Sequence, residues 1–128
     1  MYQVNPVWLR EAVARALAED VGAGDVTTSV CVDPGVRGRA TVITRGDIVL
    51  YGSEPFAEVY QQIGGVEINF QLSDGDPAPA GATIAVIKGS LASILTGERT
   101  ALNFMMGLSG IATLTSRFVR AVAGTKCI

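Results

Sequence analysis

The chain has 128 residues, 48% of them hydrophobic and 17% charged, with a formal net charge of −2. That length and apolar share suit one domain with its own core, and the acidic balance lacks the clustered basic stripe that a nucleic-acid surface needs to displace counterions. No histidine is present, which excludes His-based metal sites, His general bases and Ser-His triads and leaves carboxylates, Arg, Lys, hydroxyls and backbone for any chemistry.

Cys31 and Cys127 are far apart and lack CxxC or Cys/His spacing, so they read as reduced thiols of a cytosolic protein. The N-terminal MYQVNPVWLREA has no basic region followed by an apolar core, and no run approaches the roughly 20 apolar residues of a membrane span. A soluble, cytoplasmic protein without membrane or nucleic-acid partners is expected.

Asn5 and Pro6 read as a helix N-cap and first helical position, after which Leu9, Val13, Ala16 and Leu17 recur at helical spacing to about Asp20. The following VGAGDVTTSV reads as a turn with caps from Asp25, Thr27, Thr28 and Ser29. Arg37 to Tyr51 predicts two short strands in a hairpin around Gly46-Asp47. Ser53 caps a helix whose Phe56, Val59, Tyr60 and Ile63 share a face, and Gly64-Gly65 ends it. Val66, Ile68, Phe70 and Leu72 alternate with polar residues, the pattern of a half-buried strand. After the turn SDGDPAPAGA comes a short buried strand, Thr83 to Ile87, and Ser90 caps a long helix. The Gly107-Leu108-Ser109-Gly110 segment is expected to end that helix. Ser109 then starts another, with Ile111, Leu114, Phe118 and Val122 facing the core and Thr113, Ser116, Arg117 and Arg120 opposite. Gly124 stops it, and Lys126-Cys127-Ile128 begins a strand.

On a wheel of about 100° per residue, Leu91, Ile94, Leu95, Leu102, Met105 and Met106 form one face, with Glu98 in its middle and Arg99 on its edge. Neighbours at i and i+1 diverge on a helix, so Glu98 and Arg99 point at different partners. The rigid fork of Arg99 suits carboxylate or phosphate oxygens and makes it the candidate clamp, while Glu98 reads as structural. The last quarter holds Arg99, Arg117, Arg120 and Lys126 against Glu98 alone, whereas Glu11, Glu19, Asp20, Asp25 and Asp33 dominate the first. A basic end of this kind suggests an anion site, to which free amides at a helix start on Ser109 would contribute. Asp74 and Asp76 do not meet the EF-hand pattern, so no metal ligand is assigned.

Three segments in order, EDVGAGDVTTS at 19–29, DGDPAPAGATI at 74–84 and ERTALNFMMGLSGIATLTSRFVRAVAGTK at 98–126, resemble the N-terminal part of the quinolinate phosphoribosyltransferases, also called carboxylating nicotinate-nucleotide diphosphorylases. A ModD-like, molybdenum-transport-associated branch shares part of the pattern. The resemblance implies an α+β open sandwich, a barrel-sandwich-like β-sheet with covering helices, over residues 1–123. It makes this the substrate-capping and dimerisation domain of a two-domain enzyme, with residues 124–128 opening a C-terminal α/β barrel that the chain lacks. It implies a pentosyltransferase of NAD biosynthesis that joins quinolinate to phosphoribosyl pyrophosphate. Nicotinate mononucleotide, pyrophosphate and CO2 are released, and Mg2+ accompanies the phosphoribosyl pyrophosphate on ligands in the missing barrel. Arg99 matches the family arginine that reaches the quinolinate carboxylates across a homodimer interface. No catalytic residue is carried over, the fragment alone is expected to be inactive, and Gly107 departs from the larger residue many relatives carry before Leu-Ser-Gly. Two rival readings are a biotinyl- or lipoyl-type carrier, for which Lys88 would have to sit at an exposed hairpin tip, and a purely structural interaction domain in which Glu98 and Arg99 are core polar groups.

Overall fold

Asn5 does cap the first element: its side-chain oxygen accepts from the Val7 amide at 2.9 Å, and helix α1 spans Pro6–Cys31. The computed structural model describes residues 5–31, 33 and 35–123, with side chains up to Asp20 and again from Asp33. α1 buries Val13 and Leu17 as the spacing predicted, but it continues through VGAGDVTTSV where a turn was expected. Gly22 and Gly24 each weaken a helix by about 1 kcal/mol without ending it, and no proline intervenes before Pro34. The caps expected from Asp25, Thr27, Thr28 and Ser29, both cysteine thiols, and the strand and domain start expected after Gly124 lie outside the described residues.

Strands β1 (Arg37–Ile43), β2 (Ile48–Val49), β3 (Val66–Phe70), β4 (Pro77–Ala78) and β5 (Thr83–Ser90) form two sheets, ordered β1-β5-β3 and β2-β4. All pairings are antiparallel. The expected hairpin of β1 with β2 is not made. The chain leaves β1 at Thr44, whose amide donates to the Ala82 carbonyl at 3.1 Å while its carbonyl accepts from Gly81 at 2.7 Å. Asp47 accepts from the Ala80 amide at 2.8 Å, so both strands turn towards the 77–82 segment instead of towards each other.

Helix α2 (Ser53–Ile63) starts on Gly52, in the left-handed region at φ 100°, and has no side-chain cap of its own. The expected Ser53 cap is replaced by Asp74, whose carboxylate accepts from the Ser53 amide at 3.1 Å. Asp76 similarly accepts from the Ser73 amide at 2.8 Å, so both acids close turns. Gly64, at φ 81°, ends α2 as expected, its amide donating to the Tyr60 carbonyl.

The three-stranded sheet has one covered and one open face, the arrangement of an open sandwich. Rows Ala40–Ile87–Ile68 and Val42–Ala85–Phe70 cross it on the covered side, where the helices pack. Phe56 of α2 meets Phe70 edge-on at 5.9 Å and Tyr60 at 5.6 Å. The row Arg39–Lys88–Glu67 lies exposed on the other side. Lys88 thus sits mid-strand with a partner on each side, which removes the hairpin-tip lysine that a carrier domain needs.

Candidate functional site

Helix α3 spans Leu91–Val122 without interruption, 32 residues, or about 48 Å at 1.5 Å per residue. Ser90 caps it as expected, accepting from the Ser93 amide at 3.3 Å. The predicted break at Gly107-Leu108-Ser109-Gly110 does not occur, so the amides there are spent inside the helix and offer no anion site. A Cβ at Gly107 or Gly110 would meet nothing within 4 Å, so neither glycine is required by packing.

The buried seam of α3 is an i, i+4 row that begins at Gly97 and passes through Ala101, Met105 and Ser109 to half-buried Thr113. A Cβ on Gly97 would approach Ile63 Cδ1 at 2.7 Å and Tyr60 Cε1 at 2.8 Å, so α2 packs directly on the helix backbone. One turn past Ala101, Met105 Cα lies 3.1 Å from where a Cβ on Gly52 would stand. Below that the seam turns polar: the Ser109 hydroxyl accepts from the Tyr51 amide and donates to the Tyr51 carbonyl, both at 2.9 Å. Thr113 Oγ1 accepts from the Val49 amide at 2.9 Å and donates to the Ser109 carbonyl at 2.7 Å.

The wheel prediction is therefore rotated. Leu95 and Met106 are exposed rather than core, and so are Glu98 and Arg99. Small residues carry the contact because they let backbones approach, and a wheel weighted by large apolar side chains misses them. In the last three turns the faces are exchanged: Ile111, Leu114 and Phe118 are 65%, 69% and 68% exposed. Thr113 and Ser116 are half-buried instead, and with the exposed Arg117 and Arg120 they line an open cleft of about 560 Å³ over β2 and β4, together with Asp47, Pro77 and Pro79.

Arg99 projects into solvent and makes no hydrogen bond or ion pair with any described residue. Eighteen residues, about 27 Å of helix, separate it from Arg117, so the basic residues of this quarter are not gathered into one site. Glu98 is likewise exposed and acts on Tyr60: burial first, and then the Glu98 charge, pushes the Tyr60 hydroxyl far above its ordinary range. The hydroxyl stays protonated and donates to the Ile94 carbonyl at 2.9 Å. Among the described residues no group of three or more His, Cys, Asp or Glu could hold a metal ion. No helix among the described residues is long and apolar enough to cross a membrane.

Sequence reasoning gave Ser109 the wrong task, a helix start, and left Thr113 on a solvent face. The available signal was their i, i+4 spacing continuing the Gly97–Ala101–Met105 row. Compared with known proteins, residues 25–109 match the family described as "Quinolinate phosphoribosyl transferase, N-terminal domain". A probable carboxylating nicotinate-nucleotide pyrophosphorylase of Synechocystis is 39% identical over 84% of this chain and 36% of its own length. The carboxylating nicotinate-nucleotide pyrophosphorylase of Mycobacterium leprae is 33% identical over 91% and 43%. The solved nicotinate-nucleotide pyrophosphorylase of Francisella tularensis superposes with TM-score 0.89 at 37% identity, covering 94% of this chain and 43% of that one. That of Ehrlichia chaffeensis gives 0.86 at 30%, covering 98% and 45%. The chain thus spans about two fifths of the length of these relatives, in the order and with the fold of their N-terminal region, and it belongs to the quinolinate phosphoribosyltransferase N-terminal domain family.

Proposed function

We propose that this chain is the substrate-capping domain of a cytoplasmic enzyme that condenses quinolinate with phosphoribosyl pyrophosphate. The products are nicotinate mononucleotide, pyrophosphate and CO2, and Mg2+ acts on the pyrophosphate side with ligands outside this chain. The observation that carries the reading is the exposed Arg99, a guanidinium with no partner among the described residues, on the helix that holds the family's ERTALN block. Quinolinate is a dicarboxylate. A guanidinium fork offers it two parallel charge-assisted hydrogen bonds, and a domain that closes over the site also removes the water that would weaken them. Arg99 points away from its own core, which suits a role in a site completed by another body, in this reading the barrel of a second copy in a homodimer.

The test is Arg99→Ala in the full-length enzyme. One charge-assisted hydrogen bond contributes about 1.5–3 kcal/mol, so KM for quinolinate should rise at least roughly tenfold. The thermal midpoint should be unchanged, because the side chain makes no internal bond. Arg99→Lys should fall between, keeping charge but losing the fork. An unchanged KM in Arg99→Ala removes the clamp.

A further inference from the structure

We infer that Ser109 and Thr113 are positioning residues, a pair of hydroxyls that latch α3 onto the free edge of β2 and so fix the axial register in which Arg99 is presented. This rests on the reading of Arg99 as the substrate clamp.

β2 has two edges. On one it pairs with β4, Ile48 opposite Ala78 and Val49 opposite Pro77, and Leu50 continues that side by donating to the Asp76 carbonyl at 2.9 Å and accepting from Gly75 at 2.7 Å. On the other edge the amides of Val49 and Tyr51 and the carbonyl of Tyr51 face no strand. They meet Thr113 and Ser109. The spacings agree: two residues of strand advance about 6.6 Å, and four residues of helix advance about 6.0 Å. A helix carrying hydroxyls at i and i+4 can therefore replace a neighbouring strand over two rungs.

Ser109 is 3% exposed, and its hydroxyl both gives and receives a bond. Beside two side-chain hydrogen bonds, Tyr60 to the Ile94 carbonyl at 2.9 Å and Thr100 to the Asp20 carboxylate at 2.8 Å, the upper seam, Gly97 on Tyr60 and Ile63 and Met105 on Gly52, is made of apolar contacts without direction. Such contacts resist separation more than they resist sliding or rotation. Hydrogen bonds weaken steeply with angle and distance, so the Ser109–Thr113 rungs, the bonds that tie α3 to strand backbone, help set where along its axis the helix stops. Arg99 lies ten residues up the same helix, about 15 Å away, and a shift at the latch is carried along it. Misplacing a binding group by about 1 Å can cost on the order of a hundredfold in rate.

The experiment uses the full-length enzyme and reads quinolinate KM, kcat and thermal midpoint. Ser109→Ala and Thr113→Val are expected to raise KM roughly tenfold with a smaller change in kcat, and Thr113→Ser, which keeps the hydroxyl, is expected to restore wild-type KM. In the Arg99→Ala background Ser109→Ala should add nothing further to KM, since both act on one contact. If Ser109→Ala and Thr113→Val lower the midpoint yet leave KM unchanged, the residues are structural only and the inference is overturned. If Arg99→Ala itself leaves KM unchanged, the clamp reading fails separately. The latch is then decided by amide exchange: faster exchange at Val49 and Tyr51 in Thr113→Val and Ser109→Ala upholds it, and wild-type protection overturns it.

Discussion

Tyr60 joins α2 to α3 through two kinds of contact at once. Its ring, which also meets Phe56 of its own helix at 5.6 Å, fills the space left by Gly97, and its hydroxyl donates to the Ile94 carbonyl. Burial and the Glu98 carboxylate both disfavour the phenolate, so the folded-state value lies above the ordinary one near 10. The unfolded chain ionises Tyr60 at about pH 10 while the folded chain still holds the proton. The stability linked to Tyr60 is therefore complete below pH 10 and falls as the pH climbs above it. Alkaline denaturation should begin near pH 10, and Tyr60→Phe should shift its onset upward while costing about 1 kcal/mol at pH 7 for the lost hydrogen bond. An onset that does not move in Tyr60→Phe assigns the alkaline transition to other groups. Glu98→Gln should move the onset in the same direction by less, because the charge is the smaller of the two causes.

The continuity of α3 makes the glycines of one helix behave oppositely. Gly107→Ala adds a methyl into open space in a helix interior and should stabilise the protein by up to about 1 kcal/mol. Gly97→Ala pushes against Tyr60 and Ile63 and should destabilise it by about 1–3 kcal/mol. Denaturant midpoints of the two variants decide this, and a destabilising Gly107→Ala would mean that the helix does break at 107. The same comparison explains what could be read from the sequence. Caps at Asn5 and Ser90, the Gly64 stop and the alternation of Val66–Phe70 depend on near neighbours, and each was legible. The course of α3 through Gly-Leu-Ser-Gly depends on residues 58 and 64 positions away, Tyr51 and Val49, which hold Ser109 and Thr113 in place. Local propensity has no access to such a partner. The strand pairing failed for the same reason: Gly46-Asp47 is good hairpin chemistry, but the bonds of Thr44 and Asp47 to the 80–82 segment redirect both strands. Arg99 stands out in the sequence because its chemistry is intrinsic to the side chain, whereas the helical wheel around it misleads because Gly97 and Ala101 make the contact.

At the scale of the molecule, the last three turns of α3 half-bury the Thr113 and Ser116 hydroxyls and show Ile111, Leu114 and Phe118 to solvent. A fully buried side chain of this kind is worth about 1.5–3 kcal/mol over an exposed one, so three on one face leave a large driving force for association. The open face of the sheet, by contrast, is a polar row of Arg39, Lys88 and Glu67 and provides no such force. The 128-residue chain by itself should therefore self-associate, giving sedimentation coefficients that rise with concentration. Leu114→Glu together with Phe118→Lys should return it to a monomer with little change in thermal midpoint, since neither side chain contributes to the core. The relatives are more than twice as long. If the additional chain covers this face, the same double substitution in a full-length protein should lower the midpoint, because the introduced charges would then be buried without partners. A variant neutral in both settings would mean that the stripe stays in water throughout.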